Sequence, residues 1–294
     1  MIYHEFSLSS HHQGIDFAVD LRFEQNNKPK PLVIFSHGFK SFKDWGPFNL
    51  MAESFARAGF IFAKFNFSHN GTTLGYPQDF VDLEAFAQNN FSIELDDLGH
   101  LIDYFFSTQQ NSFIEEYDLN QIYLLGHSRG ATLSILKACE DKRIRAVSSW
   151  AGVSDYSLLW SPQELQEWKK RGVIYVMNKR TGQRMPMYYQ IIENYYKNRE
   201  RLDLCLAIDQ LKVPLLLVHA IDDHTVPIGM AYEIKKWTDK ATLYTLEQGG
   251  HCFGSLHPHY DNFLPTALKS AIEQTQSFFS ALNFQSIGSS NEKN

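Results

Sequence analysis

The chain has 294 residues, of which 44% are hydrophobic and 20% charged, as in an ordinary water-soluble globular protein. A formal net charge of −6 and the absence of a basic run argue against a nucleic-acid partner. No apolar stretch approaches the roughly 20 residues that span a bilayer, so no membrane partner is expected.

The three cysteines indicate a reducing compartment. Cys139, Cys205 and Cys252 form no closely spaced pair, and three cannot all pair within one chain. The N-terminus shows neither the basic segment nor the apolar core of a secretory signal peptide. Free thiols and a cytoplasmic location are therefore expected.

Strands and helices alternate along the first half of the chain, which predicts right-handed crossovers and a mostly parallel sheet flanked by helices, an α/β fold. A long polar loop at 68–90 is expected to be functional or to carry short elements. The predicted elements are strands at 2–9 and 15–23 with a turn between them, a strand at 32–36 after a proline break, a helix at 48–58, a strand at 60–67, a helix at 92–106, a strand at 121–125, a helix at 131–138 and a strand at 145–151.

This alternation stops near residue 154 and resumes near 211. The intervening block is rich in Trp, Tyr and Met, and it predicts a helix from Ser161, a hairpin at 172–189 and helices at 188–201 and 204–211. The second half then predicts a strand at 213–220, a helix at 229–238, a strand at 241–246 and a helix at 260–282. We expect a core of 1–154 and 211–285, a cap or lid insertion at 155–210, and a disordered tail at 286–294.

The sequence from Gly126 to Gly130 reads Gly-His-Ser-Arg-Gly and fits the G-x-S-x-G pattern. A strand precedes it and a helix follows, which is the context that a nucleophilic serine on a tight turn requires. Side chains two residues before and after the serine would clash in such a turn, which explains both glycines. The pattern predicts that Ser128 is a nucleophile.

A nucleophilic serine needs a base, and the base needs an acid that orients it. In this arrangement the chain order is serine, acid, histidine. Asp222 and Asp223 follow the strand at 213–220, and His251 follows the strand at 241–246 after two glycines. We expect His251 to be the base, with either aspartate as the acid.

These motifs resemble those of α/β-hydrolases, and most closely the branch of dienelactone hydrolases, prolyl-oligopeptidase-like and cinnamoyl-esterase-like enzymes. The resemblance covers about 1–154 and 212–285 and implies the α/β-hydrolase fold. Aligning His219 and Val226 with the family pattern places the acid on Asp223 and leaves Asp222 as a turn residue, although Ala220 replaces a family glycine. The likeness rests on residues 36–39, 126–130, 219–227 and 249–251.

The resemblance also implies an oxyanion hole formed by the backbone N–H groups of Phe39 and Arg129. His37 is expected to orient the loop that carries Phe39. The side chain of Arg129 either pairs with an acidic neighbour or binds an anion, and we favour the pairing. His127 need not be chemical, and His257 and His259 are expected to be structural.

Aromatic residues near these motifs are candidates for a substrate pocket together with the insertion. Each of them alone is equally compatible with an ordinary core. No histidine has metal-ligand spacing, so neither a metal nor another cofactor is expected. The candidates are Phe39, Phe42, Trp45, Tyr156 and Trp160.

The sequence predicts a serine hydrolase that cleaves a small-molecule carboxylic ester through an acyl-enzyme. Thioesters or peptide bonds are alternatives with the same triad, because the cavity rather than the triad selects the leaving group. A catalytically idle receptor or scaffold is the alternative from another class. Dehalogenase or epoxide-hydrolase chemistry would require an aspartate where Ser128 stands. The sequence specifies no oligomeric state.

Overall fold

A computed structural model describes residues 1–107 and 113–290. Its main sheet has eight strands, ordered β1-β2-β4-β3-β5-β6-β9-β10, and a separate hairpin consists of β7 and β8. The strands in these residues are β1 (Ile2–Ser9), β2 (Asp16–Phe23), β3 (Lys30–Ser36), β4 (Ile61–Phe65), β5 (Tyr117–His127), β6 (Ile144–Trp150), β7 (Val173–Asn178), β8 (Gln183–Tyr188), β9 (Leu215–Ala220) and β10 (Ala241–Leu246).

The sheet is antiparallel only at its N-terminal edge, where β2 pairs with β1 and β4. All other neighbouring pairs are parallel. Helices cover both faces, so the prediction of a mostly parallel sheet flanked by helices is confirmed. They are α1 (Phe48–Arg57), α2 (Leu83–Gln88), α3 (Phe91–Phe106), α4 (Arg129–Glu140), α5 (Pro162–Arg171), α6 (Gln190–Lys197), α7 (Arg199–Leu202), α8 (Leu204–Ala207), α9 (Gly229–Trp237) and α10 (Thr266–Ser290).

The central strand β3 shows why the sheet is covered on both sides. All its residues are buried, and successive side chains point to opposite faces. Leu32 and Ile34 pack into the core shared with α3 and α4. Val33 and Phe35 pack into the core shared with α1 and α10. A continuous apolar run is therefore required here, as in other strands buried on both faces.

Several predicted boundaries differ from the structure, and three of the differences lie at a proline or an asparagine. Strand β3 begins at Lys30 because Pro31 lies at a register shift against β5 and outside the pairing with β4. The helix predicted at 188–201 is divided into α6 and α7 at Asn198, whose side-chain amide donates to the carbonyl of Asn194 at 2.9 Å.

The third difference concerns α10. It begins at Thr266 rather than near 260, because Pro265 disfavours a helical residue before it. It continues to Ser290 rather than ending at 282, since no proline interrupts the segment. The tail predicted to be disordered from 286 is therefore helical as far as 290, and 291–294 lie outside the described residues.

The insertion at 155–210 packs against the segment that follows β4. Gln183 donates to the carbonyl of Phe80 at 2.8 Å, and Gln190 donates to the carbonyls of Gln88 and Asn89, both at 2.8 Å. Its buried apolar residues, including Trp168, join the same core as α3 and α4. The insertion therefore shares a core with the sheet.

Within residues 1–107 and 113–290, no helix is both long enough and apolar enough to cross a bilayer.

Candidate active site

Ser128 lies on a strained turn between β5 and α4. Its backbone angles, φ 57° and ψ −121°, are rarely adopted by a residue with a side chain. A Cβ atom at Gly126 would lie 2.2 Å from the carbonyl oxygen of Gly130, and one at Gly130 would lie 2.2 Å from that of Ser36. Both glycines are therefore sterically required, the first by the turn and the second by the end of β3.

The structure brings Ser128, His251 and Asp223 together in one line of hydrogen bonds. The Oγ of Ser128 lies 3.0 Å from Nε2 of His251, and Nδ1 of His251 lies 2.8 Å from Oδ2 of Asp223. The Asp223 carboxylate is fully buried, whereas 17% of the His251 side chain is exposed. One imidazole nitrogen thus faces the hydroxyl while the other is held by the acid.

Asp223 is held in its ionised form. Burial by itself would raise its pKa, but the nearby imidazoles of His219 and His251 and the amide of Val226 hold the pKa well below its usual value. The amides of Thr225 and Val226 donate to Oδ1 at 2.8 and 2.9 Å. The carboxylate therefore remains an acceptor for the Nδ1–H of His251.

Asp222 has a different set of partners. Its carboxylate accepts the amide of Gly250 at 2.8 Å and that of Gly249 at 3.2 Å. The Gly250 bond is the largest cause of a lowered pKa for Asp222. Of the two aspartates that the sequence left open, Asp223 contacts the ring of His251, and Asp222 holds the loop that carries it.

The loop after β3 passes directly against the serine. A Cβ atom at Gly38 would lie 3.1 Å from Cβ of Ser128. The next residue, Phe39, therefore lies beside the nucleophile. Arg129 is the first residue of α4, where backbone N–H groups have no acceptor within the helix. The two residues whose N–H groups are the predicted oxyanion donors are thus neighbours of Ser128.

His37 and His127 are buried neutral residues that hold these loops. Burial lowers the pKa of His37 to about 4 and that of His127 to about 3. Nδ1 of His37 lies 2.9 Å from the carbonyl oxygen of Gly38, and Nε2 of His127 lies 2.8 Å from that of His251. A carbonyl only accepts, so the ring nitrogen carries the hydrogen in each pair.

The two remaining candidate histidines also make loop contacts. Nδ1 of His257 accepts the amide of Gly46 at 2.9 Å. Nε2 of His259 donates to the carbonyl of Phe263 at 3.0 Å. Neither contacts Ser128 or Asp223.

The Arg129 side chain makes the pairing that the sequence favoured. Its Nη1 lies 3.2 Å from Oε1 of Glu94, and both side chains are buried. The guanidinium also lies over the ring of Phe39 at 4.2 Å from its centroid. This cation is therefore already neutralised.

Two cavities meet at Ser128, and both also reach Phe39, Lys40 and His251. We name them the basic cavity and the apolar cavity after their distinctive residues. The basic cavity, of about 420 Å³, is further lined by Gly38, Ser41, Trp45, His127, Asn178, Lys179, Arg180 and Cys252. The apolar cavity, of about 410 Å³, is further lined by Arg129, Val153, Tyr156, Leu159, Trp160, Thr225 and Val226.

One predicted pocket residue is placed elsewhere. Trp45 lines the basic cavity, and Tyr156 and Trp160 line the apolar cavity. Phe42 lines neither, because its ring is buried edge-on against Phe80 at 6.0 Å and His257 at 5.0 Å. Its expected role in the pocket is therefore wrong, and it belongs to the core.

A larger cavity of about 860 Å³ lies between α3, α4 and the turn after β1. It contains none of Ser128, His251 and Asp223. The cation Arg143 on its wall is paired with Asp103 at 2.7 Å and Asp141 at 2.6 Å. The residues proposed to act at the serine site are therefore absent from the described lining of this cavity.

Two of the three cysteines are held as thiols, and the described residues form no metal-binding cluster. Cys139, Cys205 and Cys252 are free thiols. Burial raises the pKa of Cys139 to about 12 and that of Cys252 to about 11, which disfavours their thiolates. No group of three or more His, Cys, Asp and Glu side chains in these residues is arranged to hold a metal ion.

Comparison with solved structures identifies the architecture. The α/β-hydrolase GrgF from Penicillium sp. sh18 superposes with a TM-score of 0.71 at 16% identity, covering 96% of this chain and 99% of that one. This chain has the α/β-hydrolase fold. The α/β-hydrolase fold recurs in an esterase domain from a Rhodothermus marinus protein, with a TM-score of 0.61 at 17% identity over 95% of this chain and 97% of that one.

A putative dienelactone hydrolase from Klebsiella pneumoniae also has this α/β-hydrolase fold, with a TM-score of 0.58 at 13% identity over 95% of this chain and 99% of that one. No protein-family model matches the sequence, and no curated relative matches it. The predicted α/β-hydrolase fold is confirmed.

Sequence reasoning missed the cations of the basic cavity. Lys40 follows Phe39 directly, whereas Lys179 and Arg180 lie just beyond β7 in the insertion. The sequence offered only one signal, the adjacent basic residues in the turn of a predicted hairpin. Nothing local to that turn indicates that it faces Ser128.

Proposed function

We propose that this protein is a serine hydrolase that cleaves a carboxylic ester through an acyl-enzyme intermediate. The observation that carries the proposal is the line of hydrogen bonds from Asp223 through His251 to Ser128, of 2.8 and 3.0 Å. It ends on a serine that is exposed to two cavities, so a substrate can reach the hydroxyl from both sides.

The first half of the reaction forms the acyl-enzyme. Nε2 of His251 removes the proton of Ser128 as Oγ attacks the ester carbonyl, and Asp223 stabilises the imidazolium. The N–H groups of Phe39 and Arg129 donate to the developing oxyanion. The C–O bond then breaks, and the alcohol leaves with the proton carried by His251.

The second half repeats the same steps with water. His251 removes a proton from a water molecule that attacks the acyl carbonyl. The Ser128 oxygen leaves, regains a proton from His251, and the carboxylic acid is released. The enzyme is regenerated with no change in redox state.

The esterase domain among the matched structures supports cleavage of an ester over cleavage of a thioester or a peptide bond. Thioester and peptide cleavage use the same triad and differ in the leaving group that the cavities accept. A catalytically idle receptor is disfavoured because Ser128 and His251 lie within hydrogen-bond distance. A small-molecule ester fits cavities of about 420 and 410 Å³.

The test is Ser128→Ala, with Ser277→Ala on the exposed face of α10 as the matched control. We expect Ser128→Ala to abolish hydrolysis of 4-nitrophenyl butyrate and labelling by a fluorophosphonate probe. The control should retain both, and thermal unfolding should show that both variants are folded. Retained activity in a folded Ser128→Ala protein would refute the proposal, and absence of labelling of the wild type would favour an idle receptor.

A further inference from the structure

The basic cavity collects cations from two distant parts of the chain. Lys40 lies on the loop after β3, and Lys179 and Arg180 lie at the turn of the β7–β8 hairpin. The Nζ of Lys40 donates to the carbonyl of Met177 at 3.1 Å, which joins the loop to the hairpin. The insertion thus places its own charges beside Ser128.

The positive charge of this cavity is not compensated. Arg180 lies 3.5 Å from Asp79, but neither Lys40 nor Lys179 has a carboxylate partner among the residues that the structure describes. None of the described residues that line the cavity is acidic. Burial lowers the pKa of Lys40, and the charge of Lys179 lowers it further. The two ammonium groups therefore repel each other with no anion between them.

The same cavity wall holds polar atoms without partners. The hydroxyl of Ser41 and the side-chain amide nitrogen of Asn178 are buried, and within the described part of the chain neither has a hydrogen-bond partner. Buried polar groups are nearly always paired in folded proteins. Both residues line the basic cavity, so donors that no described protein group uses lie within its wall.

The apolar cavity on the other side of Ser128 contrasts with this arrangement. Val153, Leu159 and Trp160 line it, and the guanidinium of Arg129 is already paired with Glu94 at 3.2 Å. Lys40 borders both cavities, so Lys179 and Arg180 are the cations that distinguish the basic cavity. One side of the serine therefore suits an uncharged apolar group, and the other suits an anion.

We propose that the substrate is an ester with one apolar half, held in the apolar cavity, and one half that carries an anionic group, such as a carboxylate, bound by Lys40 and Lys179. The inference rests on the proposed serine-ester chemistry and extends it to a substrate class. Lys40 and Lys179 are then specificity-determining residues, which bind the substrate but take no part in bond cleavage.

The experiment uses two pairs of esters in which a carboxylate is exchanged for the isosteric, uncharged carboxamide. One pair, 4-carboxyphenyl and 4-carbamoylphenyl butyrate, places the charge on the alcohol. The other pair, the 4-nitrophenyl esters of 4-carboxybenzoate and 4-carbamoylbenzoate, places it on the acyl group. We expect kcat/KM for the carboxylate to exceed that for the carboxamide by about 10-fold or more in one pair.

The variants are Lys40→Gln with Lys179→Gln, compared with Lys235→Gln with Lys236→Gln as control. The control residues are exposed on α9, and both double variants change the net charge equally. We expect the first to remove the preference for the carboxylate, mainly by raising KM for the carboxylate ester. The control should retain the preference.

A binding measurement separates this inference from the proposed function. Terephthalamate (one carboxylate) and terephthalamide (none) are titrated calorimetrically into the folded Ser128→Ala protein, where no turnover occurs. Tighter binding of terephthalamate that disappears in the Lys40→Gln, Lys179→Gln background supports the anion site even if no ester is cleaved. Equal binding of the two ligands, or a preference that persists in that background, overturns it whatever the esterase assay shows.

Discussion

Asp222 and Asp223 are adjacent in the chain, but Asp223 contacts the ring of His251 and Asp222 contacts the backbone just before that residue. Asp223 accepts from the imidazole at 2.8 Å, and Asp222 accepts from the amide of Gly250, next to that histidine, at 2.8 Å. One carboxylate therefore orients the ring, and the other fixes the backbone that carries it. The loss of each carboxylate should have a different consequence.

We predict that Asp223→Asn lowers kcat for 4-nitrophenyl butyrate by about 10⁴-fold, because an amide no longer stabilises the imidazolium. Asp222→Asn should lower kcat by about 10-fold at most, since its amide oxygen still accepts the backbone bond from Gly250. Steady-state kinetics on both folded variants provides the measurement. Similar losses in the two variants would show that the acid is not uniquely Asp223.

Gly130→Ala should destabilise the protein by about 3 kcal/mol or more, because the new methyl group would overlap the end of β3. Its Cβ would lie 2.2 Å from the carbonyl oxygen of Ser36. Gly229→Ala, where a Cβ meets nothing within 4 Å, is the matched control and should be neutral or slightly stabilising. Urea unfolding of both variants compares the free energies. An unchanged midpoint for Gly130→Ala would contradict the close approach of this residue to the end of β3.

Stability should fall as the pH decreases from 6.5 towards 4. His37 and His69 have pKa values lowered from 6.5 to about 4 and His127 to about 3, each chiefly by burial, so the unfolded chain binds protons that the folded chain does not. Asp97 opposes this, because burial raises its pKa to about 6.

The effect of three such histidines on stability is larger than that of one carboxyl group. We therefore expect the free energy of unfolding to fall by about 2 kcal/mol or more between pH 7 and pH 5. Urea unfolding followed by tryptophan fluorescence at the two pH values measures it. Equal free energies of unfolding would show that these imidazoles are not held neutral.

The loop that carries Phe39 is anchored by a buried ion-pair cluster. Lys64 on β4 is fully buried and pairs with Asp20 on β2 and with Asp44 on this loop. Lys64→Met should destabilise the protein by about 2 kcal/mol or more, because it removes the buried cation between the two carboxylates and leaves Arg22 and Lys43 as their partners. Calorimetric unfolding measures this loss, and Lys240→Met on the surface is the control. A loss below about 1 kcal/mol would show that the cluster does not anchor the loop.

Local patterns carried most of the prediction of the fold and the nucleophile. The burial of alternate residues on both faces of β3 follows from a short run of apolar side chains. The requirement for glycine at 126 arises within five consecutive residues, since its Cβ would meet Gly130. Such features depend on neighbours in the chain and are therefore visible without a structure.

The choice between Asp222 and Asp223 needed the tertiary structure, because both occupy one loop and either can be the acid by order alone. The same holds for Phe42 and Trp45, two aromatic residues of one loop that face the core and the basic cavity respectively. The direction of a side chain in an irregular loop depends on the residues that pack against it. Because such a loop has no regular periodicity, the sequence pattern does not reveal that direction.

The sequence by itself therefore determined the order of strands and helices, the serine turn and the candidate residues for its chemistry, because these depend on contacts within a few residues. Only the tertiary structure decided which carboxylate meets His251 and what surrounds Ser128. Lys40 and Met177 touch although 137 positions separate them. The charge of the basic cavity comes from such long-range packing of the insertion on the core.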